Sequence, residues 1–290
     1  MNARSARTLL PVIVTIVLVA ACSQLQFTAA NLAASGKAAH RATDIAYGPE
    51  PRQRLDVYSA RGQQGSAPVI VYVHGGGWTS GSKDLYRFVG ETLAERGYLT
   101  VMAGYRLYPE VRFPVFVEDA ARAVAWTRAH ATGLGGDPKR IFLMGHSAGA
   151  HIVLLLALDA HYLHDAGMEA SELGGVIGLS GPYDFLPFGS GFEHKVFDGS
   201  DPVLTQPIHF VRADAPPALL LYGSADRTVA PGNSEHLATA LSAVGASVTL
   251  KRYEGKSHGD TVAAFSNLRS DPPPVLEDID AFVTGVAQRP

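Results

Sequence analysis

The sequence predicts an α/β fold, a mostly parallel central sheet flanked by helices. Three observations lead there. Short apolar runs recur along the chain, among them Val69-Ile70-Val71-Tyr72-Val73, Tyr98 to Ala103, Ile141 to Met144 and Pro217 to Tyr222. Such runs are continuous rather than alternating, as expected of strands buried on both faces. Stretches of helical length separate them, and strands that alternate with helices build parallel sheets. Two of the runs end in glycine-rich turns, His74-Gly75-Gly76-Gly77-Trp78 and Gly145-His146-Ser147-Ala148-Gly149.

The chain has 290 residues, which suits one large domain or two small ones. Its 47% hydrophobic and 18% charged residues are those of a globular protein rather than a disordered one. A net charge of -3 gives no reason to expect nucleic acid as a partner.

Residues 1–21 read as a secretory signal. Arg4 and Arg7 precede the apolar run Leu9 to Ala21, which is too short for a spanning helix of ~20 residues. The run ends in Val19-Ala20-Ala21-Cys22, which resembles the lipobox of bacterial lipoproteins. That resemblance implies lipid attachment at Cys22, and Ser23 after it implies the periplasmic face of the outer membrane. A plain signal peptide, with a soluble periplasmic or secreted product, is the alternative. Cys22 is the only cysteine, so no disulfide can form within one molecule. Residues 22–42 are polar and Ala-rich without an apolar period, and read as a tether before a domain over 43–290.

The elements of that domain follow in order. Asp44 to Tyr47 and Arg54 to Tyr58 flank the turn-rich Gly48-Pro49-Glu50-Pro51 and predict an antiparallel hairpin at a sheet edge. The strand Val69 to Val73 runs straight into His74-Gly75-Gly76-Gly77-Trp78. Glycines there leave backbone N–H groups free to receive an oxyanion. Asp84 to Gly97 reads as an amphipathic helix, Tyr98 to Ala103 as a strand, and Phe113 to Ala131 as a helix. Gly133 to Lys139 reads as a loop. Ile141 to Met144 then leads through Gly145-His146-Ser147-Ala148-Gly149 into the apolar stretch Ala150 to Leu158. Strand, G-x-S-x-G and helix together make the context of a nucleophile elbow.

Val176 to Leu179 is the next strand. The stretch over about 185–214 has no clean period and carries five phenylalanines among glycines and prolines, which reads as a cap. Pro217 to Tyr222 is a strand ending at Gly223-Ser224-Ala225-Asp226, and Gly232 to Val244 is helical. Ser247 to Tyr253 is a strand, Gly255 to Asp260 a loop, and Val275 to Gln288 a closing helix.

A serine is a poor nucleophile without a base, and the base needs an orienting carboxylate. Ser147, Asp226 and His258 occur in the chain order given for α/β-hydrolases, with the last two in loops after strands. Asp184, also after a strand, is the rival acid. Among the other histidines, His74 supports the glycine loop, His146 fills the x position of the elbow, and His151 lies on the helix behind it. His161 and His164 have metal-like spacing but no second cluster, and read as surface.

With both glycine motifs, the aspartate and the histidine in place, the chain resembles the α/β-hydrolases of the carboxylesterase and lipase group. Its H-G-G-G motif resembles the hormone-sensitive-lipase-like branch. The pairing of His74-Gly75-Gly76-Gly77-Trp78 with Gly145-His146-Ser147-Ala148-Gly149 is most similar to bacterial acetyl and feruloyl esterases and to kynurenine formamidases. The hormone-sensitive-lipase group usually carries G-D-S-A-G, and His146 stands at the aspartate's place. The resemblance implies a serine carboxylic-ester hydrolase for short-acyl esters. Ser147, Asp226 and His258 would be catalytic, and the N–H groups of Gly76, Gly77 and Ala148 would form the oxyanion hole. Trp78, His146 and Tyr183 are candidate walls of the substrate pocket. No metal or organic cofactor is implied, the partner is a small-molecule ester, and membrane contact is through the lipid anchor only. An amide-specialist formamidase is the alternative, and a non-catalytic surface-binding module is a remote one.

Overall fold

A computed structural model describes residues 26–34, 40–63, 65–189, 191–266, 268 and 270–287. The signal segment and Cys22 lie outside these residues.

Among the described residues, eight strands form one sheet: β1 (His40–Ala46), β2 (Arg54–Ser59), β3 (Ala67–Val73), β4 (Leu99–Ala103), β5 (Gly136–His146), β6 (Leu173–Leu179), β7 (Ala218–Gly223) and β8 (Val248–Tyr253). Their spatial order is β1-β2-β4-β3-β5-β6-β7-β8. β1 and β2 form the expected antiparallel hairpin, β2 joins β4 antiparallel, and every pairing from β4 to β8 is parallel. The order reverses at β3, because β4 lies on one side of it and β5 on the other. In open parallel sheets, ligands bind beyond the carboxyl ends of strands at such a reversal.

The helices are α1 (26–34), α2 (Arg87–Glu95), α3 (Val115–His130), α4 (Ala148–Leu158), α5 (His161–Asp165), α6 (Glu193–Val196), α7 (Gly232–Ala243), α8 (Asp260–Ala263) and α9 (Val275–Ala287). They cover both faces of the sheet, which explains the continuous apolar runs. Val69, Val71 and Val73 pack in one core with α3, α4 and α7. Ile70 and Tyr72 pack in a second core with α1, α2, α8 and α9. Side chains of a strand alternate between faces, so each residue of β3 has a core to enter.

Two expectations need correction. Residues 26–34, placed in the tether, form α1 and dock on the domain. Phe27 lies 4.8 Å from the ring of Tyr86, and Ala30 and Ala34 are buried. Asn31 accepts from the Phe88 N–H at 2.9 Å and donates to the Asp84 carbonyl at 3.0 Å. One phenylalanine and two alanines are too weak an apolar pattern to announce a docked helix in sequence. The loop assigned to Gly133 to Lys139 is also shortened, because β5 begins at Gly136, opposite Ala67 of β3.

Candidate active site

Sheet register assembles the site. Val73 of β3 stands opposite Gly145 of β5, so the turns after the two strands emerge side by side. The approach is close enough to exclude side chains. A Cβ on Gly149 would lie 2.0 Å from the Val73 carbonyl oxygen, and one on Gly145 would lie 2.3 Å from the backbone of Gly149. Glycine is required at both positions by space.

Ser147 stands between β5 and α4 with φ 55 and ψ -121. A non-glycine residue held at such dihedrals carries strain on the order of 1–3 kcal/mol and needs its surroundings to impose it. Here the Ser147 N–H donates to the Leu179 carbonyl of β6 at 2.9 Å, and the Ser147 carbonyl accepts from His151 N–H at 3.1 Å. The side chain makes no cap to its own helix. Ala148 is the first residue of α4, so its N–H has no intrahelical partner.

After β3, the Gly76 carbonyl accepts from the N–H groups of Thr79 and Ser80 and from the Ser80 hydroxyl. Gly76, Gly77 and Trp78 all have positive φ, at 126, 59 and 59. The turn is anchored at both ends. The Tyr105 hydroxyl donates to the His74 carbonyl at 2.8 Å, and Arg52 donates to the Gly81 carbonyl at 2.7 Å. Lys83 binds Asp44 of β1 and Asp56 of β2 at 2.7 and 3.0 Å. Among the described residues, no hydrogen bond uses the N–H of Gly76 or Gly77.

The loops after β7 and β8 are laced together. Ala225 N–H donates to the Lys256 carbonyl at 2.9 Å and Ser224 N–H to the Tyr253 carbonyl at 3.0 Å. They bring Asp226 Oδ2 to 2.8 Å from His258 Nδ1. Asp226 Oδ1 accepts from the N–H groups of Thr228 and Val229 at 2.8 and 2.9 Å. Burial alone would raise the Asp226 carboxyl, but His258 and the two N–H groups outweigh it and hold the group below its ordinary value. With His258 Nδ1 committed to Asp226, Nε2 is the nitrogen left for a proton of the nucleophile. The rival Asp184 is paired elsewhere, with the exposed His236 at 2.7 Å.

The three candidate pocket walls are out of solvent. Trp78 is 4% exposed, donates its indole N–H to His151 Nδ1 at 3.3 Å, and packs against Phe185 and Phe197 of the cap segment. Tyr183 is fully buried, its hydroxyl filling the space that Gly178 and Gly181 leave. His146 is 4% exposed and bonded on both ring nitrogens, to Tyr86 and to the His258 carbonyl. Phe192 lies against the Gly77 turn, its ring 2.9 Å from a Cβ at Gly77, and is 42% exposed. Sequence reasoning placed Phe192 in the cap without singling it out, and missed Tyr86 and Thr261, because neither belongs to a motif. The last donates to the His258 carbonyl at 3.3 Å.

His151 ties two parts of the site together. Since Nδ1 accepts from Trp78, Nε2 carries the proton and donates to the Thr205 carbonyl of the cap segment at 2.7 Å. His161 and His164 sit on the surface, bonded to Asp159 and Glu169. Among the described residues, no group of three His, Cys, Asp or Glu could hold a metal ion.

Known proteins resemble the chain over most of its length. The family model described as BD-FAE matches residues 55–241. A probable isoprenylcysteine alpha-carbonyl methylesterase of Arabidopsis thaliana is 30% identical over 265 residues, 83% of this chain and 55% of the relative. The chain thus spans about half the length of the curated relatives it matches. Among solved structures, a truncated carbohydrate esterase from gut microbiota superposes with a TM-score of 0.77 at 20% identity, covering 88% of this chain and 99% of that one. A propionate-bound esterase 2 of Thermogutta terrifontis gives 0.71 at 25% identity, covering 87% and 94%.

The buried histidines make acid stability a test of the structure. Burial lowers His146 to about 3, helped by the neighbouring His258, and lowers His74 and His151 to about 4. Unfolding returns each to about 6.5. A depressed value means that the stability held by these groups is complete above pH 6.5 and is lost as pH falls toward the folded values. Denaturant unfolding between pH 7 and 4.5 should therefore show stability falling, with the unfolded chain binding up to about three more protons than the folded one. A flat profile across that range would contradict the buried, neutral placement.

Proposed function

The chain belongs to the BD-FAE family, and from that membership we propose that it is a serine carboxylesterase acting on short-acyl esters. The observation that carries the reading is the Asp226–His258 pair, laced into two loops at the same sheet edge as the strained Ser147. In this mechanism His258 takes the hydroxyl proton as Ser147 attacks the ester carbonyl. The N–H groups of Gly76, Gly77 and Ala148 receive the oxyanion. His258 returns the proton to the leaving alcohol, and water then releases the acid from the acyl-enzyme by the same steps. Asp226 keeps the imidazole in the required tautomer.

The named relatives are ester hydrolases, and the formamidase reading draws no support from them. Nor is Trp78 free to hold an aromatic amine, since its ring is packed under the cap. A non-catalytic module would have no use for a strained serine or a bonded Asp–His pair. Ser147→Ala should abolish ester turnover and labelling by a fluorophosphonate probe while the protein stays folded. Asp226→Asn should cost turnover on the order of thousands-fold, by analogy with the protease aspartate, and Asp184→Asn far less. A larger loss at Asp184 would move the acid to the earlier strand.

Short acyl groups suit the cover that Phe192 gives the Gly77 turn. The Thermogutta esterase has been solved with propionate and with butyrate bound. Acetyl to butyryl p-nitrophenyl esters should be turned over faster than esters of ten or more carbons, and Phe192→Ala should shift the optimum to longer chains. An acyl-length series that peaks on long chains in the parent would refute this.

Export and lipidation at Cys22 complete the reading. Among the described residues no helix is long and apolar enough to cross a membrane. Attachment would rest on lipid, at ~0.8 kcal/mol per buried CH₂. Cys22→Ser should move the protein from the membrane to the soluble fraction of its bacterial host. Equal recovery of variant and parent in the membrane fraction would count against lipidation.

A further inference from the structure

His146 occupies the elbow's free position, yet it is turned away from solvent and toward the base. Its ring lies 4.9 Å from that of His258, and its Nε2 lies 3.2 Å from the His258 carbonyl oxygen. Its Nδ1 lies 3.4 Å from the Tyr86 hydroxyl. The roles of these atoms follow from chemistry alone. A carbonyl can only accept, so Nε2 carries the proton. A neutral imidazole then presents Nδ1 as acceptor, and Tyr86 must donate. Burial keeps both partners in these forms, lowering His146 to about 3 and raising the Tyr86 hydroxyl above its ordinary value.

We propose that His146 is a positioning residue, which fixes the segment bearing His258 by donating from Nε2 to the His258 carbonyl while Tyr86 holds the ring from behind. The inference rests on the proposed role of His258 as base. Gly75 makes the arrangement possible. A Cβ there would lie 2.8 Å from the His146 carbonyl oxygen, 2.9 Å from the Tyr86 hydroxyl and 3.1 Å from His146 Nδ1. The first glycine of the His74-Gly75-Gly76-Gly77 turn thus makes room both for the backbone of β5 and for this hydrogen bond. Tyr86 is itself held by packing, with Phe27 of α1 on one side and Tyr72 of β3 at 5.7 Å. The His258 carbonyl accepts a second bond from Thr261, so the backbone of the base is fixed from β5 and from α8. Its side chain is then fixed from β7 by Asp226.

The chemistry also says which side chains can substitute. An aspartate at this position is acceptor-only when ionised and cannot bond a carbonyl. A glutamine can place an amide N–H near the site of Nε2. Steady-state kinetics on p-nitrophenyl acetate test this. His146→Leu should lower kcat between about tenfold and a hundredfold, the scale of a small misplacement of a reacting group, with KM little changed. His146→Gln should recover most of kcat, and His146→Asp should not. Tyr86→Phe, which removes one hydroxyl and keeps the packing, should lower kcat more mildly and serves if the His146 variants fail to fold. Parental kcat in His146→Leu, equal loss in His146→Gln and His146→Leu, or parental kcat in Tyr86→Phe would overturn the proposal. If the parent neither hydrolyses the ester nor reacts with a fluorophosphonate, the esterase reading falls and this inference with it. If the parent does both and the variants match it, only this inference falls.

Discussion

The parallel pairing of β3 with β5 is the constraint on which the site depends. With Val73 opposite Gly145, the two glycine-rich turns leave the sheet at the same height. The rest is arranged to make that proximity bearable. Gly149 gives way to the Val73 carbonyl, Gly145 to the first turn of α4, and Gly75 to the His146 carbonyl and the Tyr86 hydroxyl. Strain at Ser147 is sustained from the next strand, through Leu179 of β6. Packing on both faces of the sheet supplies the rigidity that such a crossing needs.

Buried imidazoles are the second theme. His74, His146 and His151 are all shielded from solvent. Each acts as a neutral polar strut. His74 Nδ1 bonds the Gly75 carbonyl inside the oxyanion turn, His146 reaches the base, and His151 joins the turn to the cap. An imidazole suits this work because it is flat, packs like an aromatic ring and offers one donor and one acceptor in fixed directions. His74 Nε2 is left without a protein partner, so its lone pair faces the core unpaired.

Much of this was legible in the sequence. The strands were announced by unbroken apolar runs, the sharp turn at Ser147 by its flanking glycines, and the Asp226–His258 pair by chain order and by place after strands. Distance along the chain could not reveal the rest. Tyr86 and Thr261 reach the site through tertiary packing, from segments with no motif, and nothing in sequence marks Phe192 among the five phenylalanines of the cap. Trp78 and Tyr183, candidate pocket walls in the sequence, are buried by the cap and the sheet. The role of His146 was hidden because a histidine between Gly145 and Ser147 says nothing about which way its ring turns. α1 was missed because its docking relies on Asn31 as much as on apolar contact.

The docking of α1 changes how far the domain could stray from an anchor. A tether running to residue 42 would offer about twenty residues of slack, a leash of up to ~70 Å when extended. Because residues 26–34 are packed on the domain, only 23–25 separate Cys22 from its first described helix, and the extended reach shrinks to ~14 Å. Under the proposed lipidation, Cys22 would hold the domain within about one helix diameter. With the proposed esterase activity, such a domain would search a thin shell of solvent beside its support, and the concentration of ester in that shell would govern its turnover.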